Sequence, residues 1–275
     1  FTTHISLPKH NLNDYECIII DEIQDLSENS WLWVEECNPL IIKGLSGTMP
    51  LKGIKREFID DLAPIRYTIT LDETTGYTSK PYSIIIHLLK PSEKKDILLK
   101  SGKYWSEKSK IQFWENKYKQ DYNFKSMLQL IQSIQNSHTK LNYLKELAKT
   151  IDRGLLFVET SKHCDALGYP SYHSKEKESE ENLRKFQEGE INLMSTISQL
   201  RSGITFPNLQ ECAILHCYAS NNKSHQKIAR TLNYSEGEEA TIHILCLDNT
   251  RDRVWVNKGL ESFNQERITW KTIIN

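Results

Sequence analysis

Asp14-Tyr15-Glu16-Cys17-Ile18-Ile19-Ile20-Asp21-Glu22-Ile23-Gln24-Asp25 is the stretch whose reading decides the fold. The run Cys17 to Ile20 is short, β-branched and unalternating, the pattern of a parallel strand buried on both faces. It delivers two carboxylates, Asp21 and Glu22, just past its end. That is where open α/β sheets bind ligands. Of two acids so placed, one can hold Mg²⁺ through water and the other can polarise an attacking water.

Downstream, Ser27-Glu28-Asn29-Ser30 is rich in helix-capping residues and precedes Trp31 to Val34, a helix ending before Pro39. Leu40 to Leu45 reads as a second buried strand running into Ser46-Gly47-Thr48. Strand, helix and strand with polar residues at both strand ends is the βαβ pattern of a parallel sheet. Two more strands are expected at Ile65–Leu71 and Tyr82–Leu89, with a domain boundary near 76–81. Residues 92–125 then carry nine Lys against five Asp or Glu, interleaved with aromatics. Within them Trp114, Tyr118 and Tyr122 recur at helical spacing, and the stretch reads either as core or as a grip on nucleic acid. Ser126–Ile151 reads as one further helix.

From Arg153 onward strands and helices alternate again. Leu155–Val158, Ile191–Met194, Ala213–Tyr218 and Ala240–Leu247 read as strands. Tyr172-His173-Ser174 reads as the cap of a helix from Lys175 to Glu188, and Ser224–Leu232 as another helix. His216, in an apolar run, reads as a core histidine, and His173 and His225 as structural or capping residues. Cys212 and Cys217, five apart on one expected strand, should face opposite sides and not share a metal.

Composition narrows the classes. The 275 residues suffice for one large domain or two ordinary ones. A formal charge of −1 supplies no global basic field, so any nucleic acid must be held by local patches. Six cysteines without a C-x-x-C pair read as reduced thiols of a cytoplasmic protein, without a disulfide framework or zinc site. No apolar run approaches the ~20 residues that span a membrane. The oligomeric state is not readable.

Set in order, the strand-end motifs resemble those of a superfamily 2 helicase of the DEAD/DEAH kind, and more narrowly the phage-type DNA helicases. Asp21 to Gln24 resembles motif II and Ser46-Gly47-Thr48 motif III. Leu156 through Ser161 resembles motif IV, and Thr196 through Asn208 motif V. Ser224 through Asn233 resembles motif VI, and the run Tyr172–Asn192 is similar to one in phage-type members. The resemblance implies an α/β fold of two RecA-like parallel-sheet domains that clamp ATP. The first, 1–78, would be incomplete; the second, 79–275, would carry a helical insert at about 92–150.

It also implies roles. Asp21 would hold Mg²⁺, Glu22 would deprotonate the hydrolytic water, and Gln24 would sense the other domain. Ser46 and Thr48 would couple nucleotide state to strand movement. Thr2, Ser161 and Thr196 would contact nucleic acid, DNA rather than RNA. Gly203, Gln226 and Arg230 would face the nucleotide, Arg230 as a catalytic cation.

Two departures limit the likeness. No G-x-x-x-x-G-K-[ST] occurs: of eleven glycines only Gly102 precedes a lysine, and Tyr104 follows it. Without that loop the chain alone is expected neither to hold ATP tightly nor to hydrolyse it, and the motif is expected in a longer parent, upstream of Phe1. Motif VI has Ala229 for glycine and Asn233 for its last arginine, and motif V has Ser202 and Thr205 where acids are frequent. Arg251 or Arg253 could stand in for the missing cation. Two rival readings follow: a double-stranded DNA translocase of a restriction-type system, and a degenerate nucleic-acid-binding module without ATPase.

Overall fold

The computed structural model describes residues 4, 6–46, 53–65, 67–69, 71–75, 77, 79–98, 102–197, 206, 208–219, 227–229, 231–232 and 238–273. The chain forms two compact units, Phe1–Thr70 and Leu71–Asn275, dividing ahead of the 76–81 stretch.

In the first unit, β1 (Cys17–Ile20) pairs in parallel with β2 (Ile41–Gly44), joined through α1 (Glu28–Cys37). Ser27 starts α1 by accepting the Ser30 N–H, and Asn38 ends it in the left-handed region. A second helix, α2 (Ile54–Leu62), follows. Leu7, Leu12, Ile20, Ile23, Leu26, Trp31, Val34 and Ile59 form the core. Trp31 stacks on Phe58 at 5.9 Å, and the Trp33 indole donates to the His10 carbonyl. Contrary to the sequence reading, β1 and β2 are not buried on both faces. Only Ile20 of β1 is buried, Ile19 is 64 % exposed, and β2 alternates between exposed and half-buried. The helices and turns of this unit pack one face of the pair, where Ile18, Ile20 and Ile42 join the core.

The Ile65–Leu71 stretch is not a strand among its described residues. A short helix, α3 (Leu71–Thr74), opens the second unit. Seven parallel strands then form one sheet: β3 (Tyr82–Leu89), β6 (Gly154–Val158), β7 (Ser171–Tyr172), β8 (Leu193–Ile197), β9 (Glu211–Ile214), β10 (Ala240–Leu247) and β11 (Ile268–Thr272). Their spatial order is β11-β3-β10-β9-β6-β8-β7. Alternate residues feed two cores. Ile84, Ile86, Leu155, Phe157, Ile242 and Ile244 point to one, and Leu156, Val158, Ala213, Leu245 and Leu247 to the other. Every residue of β6 is buried, which is why its run lacks alternation.

Between β3 and β6 lies the insert, which is not purely helical. An antiparallel hairpin, β4 (Lys95–Leu98) and β5 (Tyr104–Ser106), precedes α4 (Glu107–Asp121), α5 (Phe124–Gln135) and α6 (His138–Ala148). Gly102 turns between the hairpin strands at φ +78°, a conformation glycine adopts without strain. The single helix expected over Ser126–Ile151 breaks at Asn136 and Ser137, where the Ser137 hydroxyl caps α6.

Further boundaries differ from expectation, among them β8, which lies at Leu193–Ile197 rather than Ile191–Met194. The helix α7 (Ser161–Leu167) follows β6, but α8 spans only Ser179–Glu188, and Tyr172 to Glu178 form a strand end and turns. β9 ends at Ile214, so Cys217 lies beyond the strand, and Cys212 and Cys217 join the same core rather than opposite faces. Ala229 and its two predecessors are the described helical part of Ser224–Leu232. The last helix, α9 (Arg251–Gly259), packs behind β10. Cysteines 164, 212, 217 and 246 are buried free thiols, whereas Cys17 is exposed. Among the described residues no helix is long and apolar enough to cross a membrane.

Candidate functional site

At the end of β1 the backbone turns sharply. Glu22 adopts φ 49° and ψ 49°, the left-handed region that few non-glycine residues occupy. The turn is held from several sides. The Glu22 N–H donates to Asp21 Oδ1 at 3.1 Å, and the His4 ring lies 2.7 Å from the Asp21 carbonyl. Gln24, 3 % exposed, donates through Nε2 to Glu22 Oε2 at 2.5 Å, and Lys55 donates to the Gln24 carbonyl. Strain at such a residue persists only where the surroundings over-determine it.

This turn is hydrogen-bonded to the end of β2. The Leu45 N–H donates to the Ile20 carbonyl at 2.8 Å, and the Ile23 N–H to the Leu45 carbonyl at 3.0 Å. Gly44 permits the approach, since a Cβ there would sit 2.5 Å from Ile23 Cδ1. Ser46 therefore follows directly on the segment that holds Asp21 and Glu22. Asp21 is exposed, with one carboxylate oxygen accepting the Glu22 N–H. A lone exposed carboxylate of this kind fits Mg²⁺ held through water rather than by an all-protein cage. Among the described residues no cluster of three or more His, Cys, Asp or Glu could hold a metal.

In the second unit, Ser161 is the first residue of α7, which Thr160 caps, and it is half-buried. Thr196 is fully buried inside β8, and its hydroxyl donates to the Tyr172 carbonyl at 3.1 Å. That bond ties β8 to β7 and leaves the side chain turned away from solvent. Thr2, Thr48, Gly203, Gln226 and Arg230 lie outside the described residues. Of the two cations considered as substitutes, Arg253 pairs with Asp248 at 3.3 Å and lies over the Trp270 ring, while Arg251 lies over Tyr118.

Sequence reasoning missed a buried polar network at the C-terminal ends of β6 and β9. Lys227, next in the chain to Gln226, donates to Glu159 at 2.9 Å and to the His216 carbonyl at 3.3 Å. Tyr218 donates to Glu159 and accepts from Gln135 of α5 at 3.0 Å. Burial pushes the Glu159 carboxyl up, but Lys227, His216 and the Tyr218 hydrogen bond together hold the group below the ordinary carboxylate range. Beside it, Lys140 of α6 sits 2.5 Å from Asp252 of α9, both fully buried. The Asp252 carboxyl is likewise pushed up by burial, but Lys140 and His216 together bring it below its usual value. His216 lies 3.5 Å from Asp252 and is held neutral chiefly by burial. It is a core histidine as read, packed edge-on against Tyr218 and Trp255. His173 serves its turn, accepting the Lys175 N–H.

Comparison with solved structures places this fold. Dbp5 of S. cerevisiae, bound to RNA and ADP BeF3, superposes with a TM-score of 0.58 at 14 % identity, over 94 % of this chain and 60 % of that one. A variant of Dbp5 bound to Gle1 and IP6 gives 0.53 at 14 % identity, over 96 % and 60 %. The chain spans about three fifths of the length of these structures. No protein-family model matches the chain, and no curated protein matches it in sequence. The fold is like that of these structures: α/β, with a RecA-like parallel sheet.

Proposed function

We propose that this chain is the motor part of an ATP-dependent nucleic-acid helicase, with residues 1–78 and 79–275 as parts of its two RecA-like domains. The observation that carries the reading is the over-determined acidic turn at the end of β1, bonded to the end of β2, within a fold like that of Dbp5.

In this reading Asp21 holds Mg²⁺ through water, and Glu22 takes the proton of the attacking water. Mg²⁺ supplies charge neutralisation at the phosphates of bound ATP. Gln24 fixes the Glu22 carboxylate, as its 2.5 Å hydrogen bond indicates. Ser46 and Thr48 carry the state of the acidic turn along the β2 segment. Gln226 and Arg230 face the phosphates together with Gly203, Arg230 as the cation that supports the developing charge. Ser161, Thr2 and Thr196 belong to the segments that meet the strand. The phage-type run Tyr172–Asn192 favours DNA as the substrate; the RNA in the Dbp5 complex is Dbp5's own.

With no phosphate-cradling loop in its sequence, the chain by itself is proposed to be inactive on ATP. The test is strand-stimulated ATP hydrolysis by a protein in which this chain is joined to such a loop. Asp21→Asn and Glu22→Gln should each lower turnover by a hundredfold or more while strand binding is retained. Unchanged turnover contradicts the reading.

A second reading, a strand-binding module without ATPase, is favoured by Ala229 and Asn233 in motif VI. Turnover stimulated by single strands in that joined protein eliminates it. A duplex translocase would instead displace a triplex-forming strand without separating a duplex.

A further inference from the structure

We infer that the β4–β5 hairpin and α4 form a separate single-strand-binding platform, one that grips phosphates and stacks bases without reading sequence. The inference deepens the helicase reading by adding a strand contact outside the sheet.

Residues 92–125 hold nine lysines against five acids, a balance of +4 in a chain of −1, so the remainder carries −5. Three of the five acids are engaged in contacts of their own. Glu107 is buried and taken up by the Ser92 N–H and Thr139 hydroxyl. Glu115 accepts the Arg251 N–H, and Glu93 pairs with Lys108. Lys94, Lys95, Lys103, Lys117, Lys119 and Lys125 are exposed.

Aromatic rings stand among these lysines at the surface. Tyr104 is 58 % exposed, Phe113 44 %, Tyr122 78 % and Phe124 80 %. The trio expected on one helical face divides, since Trp114 packs against the core and the adjacent Phe113 is the residue presented. Phe113 is fixed by edge contacts to Trp105 at 5.0 Å and Trp114 at 5.1 Å, so its ring is rigid as well as open. Lys117 lies one turn along the same helical face.

Composition selects the partner. Protein interfaces enrich arginine and deplete lysine, whereas this region contains nine lysines and no arginine. Base-edge recognition also leans on the arginine fork, which is absent. Lysine point charges beside rigid rings suit phosphates and unpaired bases of any sequence.

The experiment is anisotropy of labelled oligo(dT) and oligo(U) with the whole chain, without nucleotide, across a salt series. Removing nucleotide separates this test from that of the ATPase. Tyr104→Ala with Phe113→Ala should weaken binding tenfold or more, and Phe113→Leu should weaken it too, although the site stays apolar. Lys117→Ala with Lys119→Ala should make the dependence of log affinity on log salt shallower, by about 0.7 for each phosphate that is no longer neutralised. Circular dichroism confirms that each variant is folded. Absence of strand binding by the unaltered chain, or folded variants with unaltered affinity and salt slope, overturns the inference. So does equal loss of duplex and single-strand binding in the aromatic variants.

Discussion

Lys140→Met removes one partner of an ion pair that is fully buried on both sides, with the ammonium 2.5 Å from Asp252. Methionine keeps the apolar stem of the lysine, so packing is largely preserved, but Asp252 is left as an uncompensated carboxylate. Its second support, the Leu247 N–H at 2.8 Å, is neutral, and the nearby His216 is uncharged at neutral pH. Breaking a buried pair from one side costs about 3–5 kcal/mol. For a unit of this size each kcal/mol lowers Tm by about 2–4 °C, so a fall of about 6–20 °C is expected at pH 7. The effect carries a pH signature. In the native protein Asp252 is held below its unfolded value, so its stabilisation is present above about pH 4 and is lost as pH falls through the folded pKa. Without Lys140 the upward push of burial is opposed only by His216 and the Leu247 N–H, so the carboxyl rises and can protonate in the fold. The penalty should therefore shrink as pH falls toward 4.5. Adding Asp252→Asn, which keeps an acceptor for the Leu247 N–H, should restore most of the loss. Differential scanning calorimetry of the three proteins at pH 7 and 4.5 measures this. A penalty below about 1 kcal/mol, or one independent of pH, refutes the reasoning.

Gly44→Ala forces Ile23 aside at a contact of 2.5 Å and should cost the first unit about 1–3 kcal/mol, read as a lower urea midpoint from Trp31 and Trp33 fluorescence. His87, between Tyr143 at 2.9 Å and His243 at 3.0 Å, is pushed down to about 4 by burial, with His243 and Lys271 adding to it. The unfolded chain thus binds a proton that the fold refuses. Stability from this group is complete above about pH 6.5 and falls as pH is lowered to 4, and His87→Gln should flatten thermal midpoints over that window. Glu159→Gln uncouples Lys227 from β6. It should raise the KM for ATP of the joined protein more than it lowers kcat, with Lys227→Arg milder than Lys227→Met.

The parallel sheet was readable because its strands are largely apolar runs: Leu155–Val158 has no polar side to turn outward, and Ala240–Leu247 is interrupted only by Thr241 and His243. The acidic turn was readable from two carboxylates closing such a run. Burial of β1 was not, because an apolar run reports what a strand could bury, not what covers it. Ile65–Leu71 alternates like a strand, yet pairing depends on neighbours that local propensity does not supply. The break in the long helix carried a signal that went unused, the capping residues Asn136 and Ser137. So did the hairpin, through Gly102. The Lys140–Asp252 and Lys227–Glu159 pairs had none: each residue looks like ordinary surface charge until the fold joins elements remote in sequence.

The proposal that this chain is the motor part of a helicase is tested most directly by displacement of a labelled strand from a tailed duplex. The protein carrying this chain together with a phosphate-binding loop should release the strand with ATP but not with a non-hydrolysable analogue. Its Glu22→Gln variant should bind the tail as tightly and release nothing. Release without hydrolysis, or release by the Glu22→Gln variant at the unaltered rate, would contradict it.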